Sequence, residues 1–296
     1  MLHRHQIEVT PMSTITFLGT GLLGSAFAEA AAQRGDTVTA WNRTAQKAQA
    51  LSQFGVKPAS TPADAVRGAS RVHLVLKDDA VIDEVIAAAR PGLSADAVIV
   101  DHSTTLPALT AARAQQLARE GVKYLHCPVF MGPAAARTAK GFMLAAGPQA
   151  LFESVKADLA PMTGRVEYLG ERLDIAAVHK LFGNAAIIGL LGVLADVLTL
   201  AQACDVPGQD AVKLLQGFDL NTMVAARGTS MANGKFDVTF ELAMARKDVR
   251  LMLETVGTRP MAALPAVAAR MDQLIAAGNG NKDVAVLGID AAKRVS

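Results

Sequence analysis

Residues 15–24 read Ile-Thr-Phe-Leu-Gly-Thr-Gly-Leu-Leu-Gly, and residues 25–33 continue Ser-Ala-Phe-Ala-Glu-Ala-Ala-Ala-Gln. An apolar run of strand length enters Gly19-x-Gly21-x-x-Gly24, and an Ala-rich helical run leaves it. That order sets the reading. Gly19 permits a tight turn, Gly21 lets backbone approach a pyrophosphate, and Gly24 lets the helix lie close on the strand. Thr20, Leu22 and Leu23 fill the variable places of the same turn. The helix start then offers free N–H groups and a positive dipole end to phosphates. Three glycines alone are a weak signal. With the strand before, the helix after and a second strand at Thr37–Trp41, they predict dinucleotide binding.

The end of that second strand selects the dinucleotide. Sites for NAD place an acidic residue roughly 20 residues past the glycines, on the ribose 2′-hydroxyl. Here the run is Asn42-Arg43-Thr44. A carboxylate would repel a 2′-phosphate, whereas a guanidinium matches its oxygens and stacks on adenine. NADP(H) is the expected cofactor; an ordinary surface arginine is the alternative.

The chain has 296 residues, enough for two ordinary domains with sizeable cores. Hydrophobic residues make up 51% and charged residues 19%, a globular balance. A net charge of +2 without a basic track argues against nucleic acid as a partner. Cys127 and Cys204 are far apart, with no metal-ligand spacing, so neither a metal site nor a disulfide is expected, and the location reads as cytoplasmic. Residues 1–12 are polar and lack a signal-peptide core; they read as a disordered extension, with Met12 a possible start. Residues 185–203 have the length and apolarity of a membrane span. Asp196 in their middle, the Ala/Gly content and the lack of basic flanks favour a helix buried in a soluble protein, so no membrane partner is expected.

Strands and helices alternate from Thr14 to about Gly170, with strand candidates at 15–19, 37–41, 56–59, 71–76, 98–101, 123–126, 143–146 and 165–168. The pattern predicts an α/β fold with a doubly wound, mostly parallel sheet over residues 13–174. Beyond Gly170 the strand signals stop. A long helix from Ile175 begins a second, all-helical domain, 175–296.

Four further motifs carry chemistry. Asp101-His102-Ser103-Thr104-Thr105-Leu106-Pro107 follows a buried strand, so its hydroxyls are expected to face a ligand. Pro128-Val129-Phe130-Met131-Gly132 follows another. Lys180 and Asn184, four apart, share one face of the long helix. Lys247 and Asp248 stand between Arg246 and Arg250, and read either as ligand contacts or as a solvated charged face. His102 and His179 each adjoin a motif residue, one position off its facing direction, and read as bystanders.

Taken in order, GTGLLG, DHSTTLP, CPVFMG, KLFGN and KDVRL resemble the motifs of the β-hydroxyacid dehydrogenase family, which includes 3-hydroxyisobutyrate dehydrogenase, tartronate semialdehyde reductase and the related imine reductases. The resemblance implies a Rossmann domain plus a helical domain, often dimeric through the long helix. It implies Lys180 as the catalytic lysine and Asn184 as the amide orienting a small-molecule substrate. Ser103 and Thr104 would line the nicotinamide and substrate, and Lys247 and Asp248 would stand near the cofactor. The chemistry agrees: hydride addition to a carbonyl builds negative charge on oxygen, which an ammonium stabilises and protonates. Oxidation instead needs a neutral amine, hence a lysine pKa well below its usual 10.4.

One motif departs. The family form Pro-Val-Ser-Gly-Gly holds a substrate carboxylate, but here Phe130 and Met131 replace the serine and the first glycine, and only Gly132 is kept. A carboxylate buried there would lack donors. Gly183 and Ile187 also differ from the histidine and glutamate of 6-phosphogluconate dehydrogenase. The expectation is therefore an NADP(H)-dependent reductase or dehydrogenase of a small carbonyl or hydroxyl substrate. The alternatives are an imine reductase-like enzyme with an apolar pocket and a non-catalytic NADP(H)-binding module.

Overall fold

The computed structural model describes residues 13–292; the expected extension 1–12 lies outside them. Six strands form a parallel sheet in the order β3-β2-β1-β4-β5-β6, where β1 is Thr14–Leu18, β2 Thr37–Trp41, β3 Lys57–Pro58, β4 Arg71–Leu74, β5 Val98–Asp101 and β6 Lys123–His126. The crossover helices are α1 (Leu22–Gln33), α2 (Ala45–Gln49), α3 (Pro62–Val66), α4 (Asp79–Ala89) and α5 (Pro107–Arg119). β1, β4 and β5 are wholly buried along most of their length, as a sheet covered on both faces requires. Strand order reverses between β1 and β4, which is where such sheets open a crevice at their carboxyl ends.

The last two expected strands do not join this sheet. After β6 the chain bends, and β7 (Val129–Phe130), β8 (Phe142–Ala145) and β9 (Val166–Tyr168) form a separate three-stranded sheet. β7 runs antiparallel to β8, which places Phe130 opposite Phe142. The helices α6 (Pro133–Arg137) and α7 (Gln149–Thr163) intervene. One core cluster unites both sheets, through Phe17, Phe27, Leu125, Met143 and Phe152.

α8 runs Ile175–Ala203, and the chain divides into two compact units at Asn184, inside this helix. The strand signals stop before α8, so the sequence places the domain break earlier; packing carries the first turns of α8 with the first unit, where Ala176, Ala177 and Lys180 are buried.

The second unit adds α9 (Gly208–Gln216), α10 (Leu220–Met223), α11 (Thr229–Asn233), α12 (Leu242–Val256) and α13 (Leu264–Leu274). Its core joins Leu242, Ala245 and Val249 of α12 to Ala268, Met271 and Leu274 of α13. Two buried carboxylates organise it. Asp196 accepts from the backbone N–H groups of Ala262, Ala263 and Leu264, capping the start of α13. Burial opposes this charge, but the three N–H groups outweigh it and hold the carboxyl below its usual range. Asp283 accepts from Thr239, Phe240, Ala285 and Arg227.

α8 is long and apolar enough to cross a membrane, yet only 6% of its most apolar window is buried in this chain. The expectation of a buried core helix is corrected here. Leu181, Ile188, Leu191 and Leu198 are exposed, because nothing among the described residues covers them.

Candidate functional site

The glycine turn takes the form its sequence predicts. Gly19 has φ +99, and a Cβ there would overlap the carbonyl oxygen of Val75. A Cβ at Gly24 would overlap the carbonyl of Gly19, whereas at Gly21 it would meet nothing within 4 Å. Gly19 and Gly24 are thus fixed by packing, and Gly21 by the space it leaves above the start of α1. Thr20 is buried and its Oγ1 has no partner among the described residues.

Asn42 braces this turn. Its Oδ1 accepts from Thr20 N–H at 3.0 Å and its Nδ2 donates to the Thr44 carbonyl at 3.1 Å. Its amide is committed to backbone, so Asn42 holds the turn. Arg43 and Lys47 are exposed and make no ion pair among the described residues. Both line a cavity of about 500 Å³ with Gly21, Leu22, Trp41 and Leu76. A cavity bounded by a helix start, two unpaired cations and a flat indole, with Glu84 on α4 as the one carboxylate among the lining residues, fits a phosphorylated dinucleotide. Lys47 was not among the expected contacts; the only signal for it is its place four residues after Arg43.

Three hydroxyls follow β5 and go three ways. Ser103 is buried, and its Oγ accepts from Leu76 N–H at 3.0 Å, tying this loop to the end of β4. Thr104 is exposed. Thr105 faces inward, to Thr110 and His126. Asp101 supports the loop from below, accepting from Ser103 N–H and from the Tyr124 hydroxyl. His102 lies in the core: its Nδ1 donates to the Cys127 carbonyl at 2.7 Å, which leaves Nε2 to accept from His73 Nδ1 at 3.0 Å. Burial lowers the His102 pKa to about 4 and that of His73 well below its usual value. These histidines are neutral and structural. His179 is exposed beside Phe182.

Lys180 is 8% exposed. Its Nζ donates to the Val129 carbonyl at 2.8 Å and stands 4.0 Å from the centroid of the Phe130 ring. Burial lowers its pKa below the ordinary lysine value. Asn184 lies one turn further, half-buried, with no side-chain hydrogen bond among the described residues. Met131 packs on Gly141, and Gly132 caps α6 in open space. The structure thus joins Lys180 to the Phe130 loop. Lys247 and Asp248 lie in the second unit, paired with each other at 2.9 Å and partly exposed. Among the described residues no group of three metal-binding side chains occurs.

Residues 14–170, more than half of the chain, match the family model of the NAD-binding domain of 6-phosphogluconate dehydrogenase. The chain belongs to the β-hydroxyacid dehydrogenase family. It is an NAD(P)-binding oxidoreductase of that group. An oxidoreductase of unassigned reaction from Shewanella frigidimarina is 28% identical over 279 residues, 92% of this chain and 95% of its own. Glyoxylate/succinic semialdehyde reductase 2 of Arabidopsis thaliana is 29% identical over 81% of this chain and 68% of its own. The human cytokine-like nuclear factor N-PAC is 28% identical over 83% of this chain, which spans only 45% of that protein. Among solved structures, the imine reductase of Streptomyces aurantiacus superposes with a TM-score of 0.84 at 25% identity, covering 95% of this chain and 100% of its own.

Proposed function

We propose that the protein is an NADP(H)-dependent reductase of a small carbonyl or imine substrate, with Lys180 as the proton donor. Bound NADPH supplies the hydride. The observation that carries this reading is the state of Lys180: an almost fully buried ammonium, with no ion pair among the described residues, held by one carbonyl and one ring face. A structural lysine would be paired or solvated. Burial makes this ammonium a stronger acid, which favours proton donation to a developing alkoxide or amine. Asn184, one turn on and uncommitted, orients the substrate. Thr104, exposed after β5, lines the nicotinamide side, and Ser103 anchors its loop to the end of β4. Arg43, with Lys47, holds the 2′-phosphate, and no carboxylate at the end of β2 opposes it.

The exposed apolar face of α8 supports a homodimer, with a second copy covering it. Asp196 within the helix, spent on backbone N–H groups, supports a soluble protein over a membrane-spanning one. Size-exclusion chromatography without detergent tests both. Turnover is tested by NADPH oxidation with semialdehydes, apolar aldehydes and cyclic imines, wild type beside Lys180→Ala. Loss of turnover in the variant with NADPH binding intact supports the assignment. NADPH binding by wild type with no turnover of any class would favour a cofactor-binding module, the reading that similarity to N-PAC brings forward.

A further inference from the structure

We propose that Phe130 and Gly183 act as one unit that holds the Lys180 ammonium and selects a substrate presenting it with a neutral heteroatom in place of a carboxylate. The substrate part rests on the reductase reading above; the pairing itself does not.

The geometry is a stack with its two ends fixed. Lys180 Nζ stands over the face of Phe130 at 4.0 Å. On the neighbouring strand Phe142 stacks against Phe130, with ring centroids 6.1 Å apart and planes 21° from parallel. Arg165 in turn lies over Phe142 at 4.4 Å. The Phe130 ring is therefore held between β8 and α8. It lies flush on α8 at a glycine, since a Cβ at Gly183 would overlap its Cζ and Cε1. A glycine inside a helix costs roughly 1 kcal/mol relative to alanine, so its place here calls for a reason. The ring supplies one: any side chain at 183 would push it off the ammonium.

The two groups against Lys180 share a sign. The Val129 carbonyl oxygen and the ring face are both electron-rich. Both attract an ammonium, and both repel an anion that approaches along the same side. No acidic or basic side chain pairs with Lys180 among the described residues. One N–H is committed to Val129 and one side of the ammonium faces the ring, which leaves the remaining donor for a substrate oxygen or nitrogen. A carbonyl or imine with apolar flanks accepts that bond without opposing the neighbouring charges. A carboxylate beside the reacting carbon meets the ring and the carbonyl oxygen.

The test reads Lys180 directly. In protein labelled with 13C at lysine Cε, the Lys180 signal, assigned by its absence in Lys180→Ala, is titrated by NMR in wild type, Gly183→Ala and Phe130→Leu. Losing the ring face is expected to lower its midpoint by roughly 0.5–1 pH unit in either variant. In the double variant the shifts are not additive, because both remove the same contact. Unchanged midpoints in both single variants would overturn the pairing. Should Gly183→Ala fail to fold, Phe130→Leu alone decides. Selectivity is read separately, as kcat/KM for aldehydes or imines with and without an adjacent carboxylate. Wild-type preference for the uncharged member, reduced at least tenfold in Phe130→Leu, supports the selection; preference for the carboxylate overturns it. A shifted midpoint with no turnover of either class would uphold the pairing and sink the reductase reading.

Discussion

Acid should loosen the first unit through its buried histidines, and the size of the effect follows from their bonding. His102 Nδ1 must carry a proton to reach the Cys127 carbonyl, and its Nε2 must be bare to accept from His73. A second proton on His102 would set two N–H groups against each other inside the core. Burial, the main cause, puts its folded pKa at about 4, against 6.5 in the unfolded chain. The folded pKa is depressed, so the unfolded chain takes up the proton first. This stability is full above pH 6.5 and is lost as pH falls from 6.5 towards 4. Between pH 7.5 and 5.0 the loss from His102 alone is about 2 kcal/mol. His73 and His126, also depressed by burial, act in the same direction. Urea unfolding followed by fluorescence reports this unit specifically, since Trp41 on β2 is the single tryptophan. His102→Gln should lose about 2 kcal/mol less than wild type over the same interval. A wild-type stability that stays level between pH 7.5 and 5.0, or a variant that falls as steeply as wild type, would refute the assignment of neutral tautomers.

Other substitutions separate the roles of the site's parts. Gly24→Ala forces α1 off β1, and should lower both stability and NADPH affinity, whereas Gly21→Ala, with open space at its Cβ, should keep the melting temperature and lose affinity alone. Calorimetry and cofactor titration read the two. Arg43→Glu should weaken NADPH binding by roughly 10- to 100-fold while leaving NADH binding nearly unchanged, as measured by fluorescence titration. Asp196→Ala strips the cap from α13 and leaves three backbone N–H groups without it; a stability loss of about 2 kcal/mol by denaturant titration is expected.

What the sequence displays is local, and what it conceals is partnership. The glycine turn was legible because Gly19 and Gly24 each answer a local steric demand. The second sheet was not, because alternation marks a strand without naming its neighbour, and β7 has only two residues. α7 hides behind Pro161 near its end. The apolarity of α8 was plain, but hydropathy does not say whether the same chain or a second copy covers a face. Phe130 stood out as a departure from the family motif; its seat at Gly183, 53 positions away, needs the register of β7 against β8 and the packing of α8.

The surroundings of Lys180 pull in two directions, and the balance bears on substrate class. Burial lowers its pKa and makes it a stronger acid, while the Val129 carbonyl and the Phe130 face favour the charged form. An ammonium so placed is ready to donate near neutral pH, and a reductive rate should fall as pH rises through its lowered pKa. The two candidate substrates need that proton to different degrees. A carbonyl develops an alkoxide and depends on the donor throughout, so Lys180→Ala should cost roughly 100- to 10,000-fold in kcat. An imine basic enough to be protonated in water, unlike the neutral acceptor described above, enters as an iminium that needs no donor and accepts no bond from Lys180, so the same substitution should cost far less, and the alkaline limb should follow the substrate's own pKa. The ratio of the two losses, measured on one variant with an aldehyde and a cyclic imine, therefore distinguishes a lysine that donates to the substrate from one that only shapes the site.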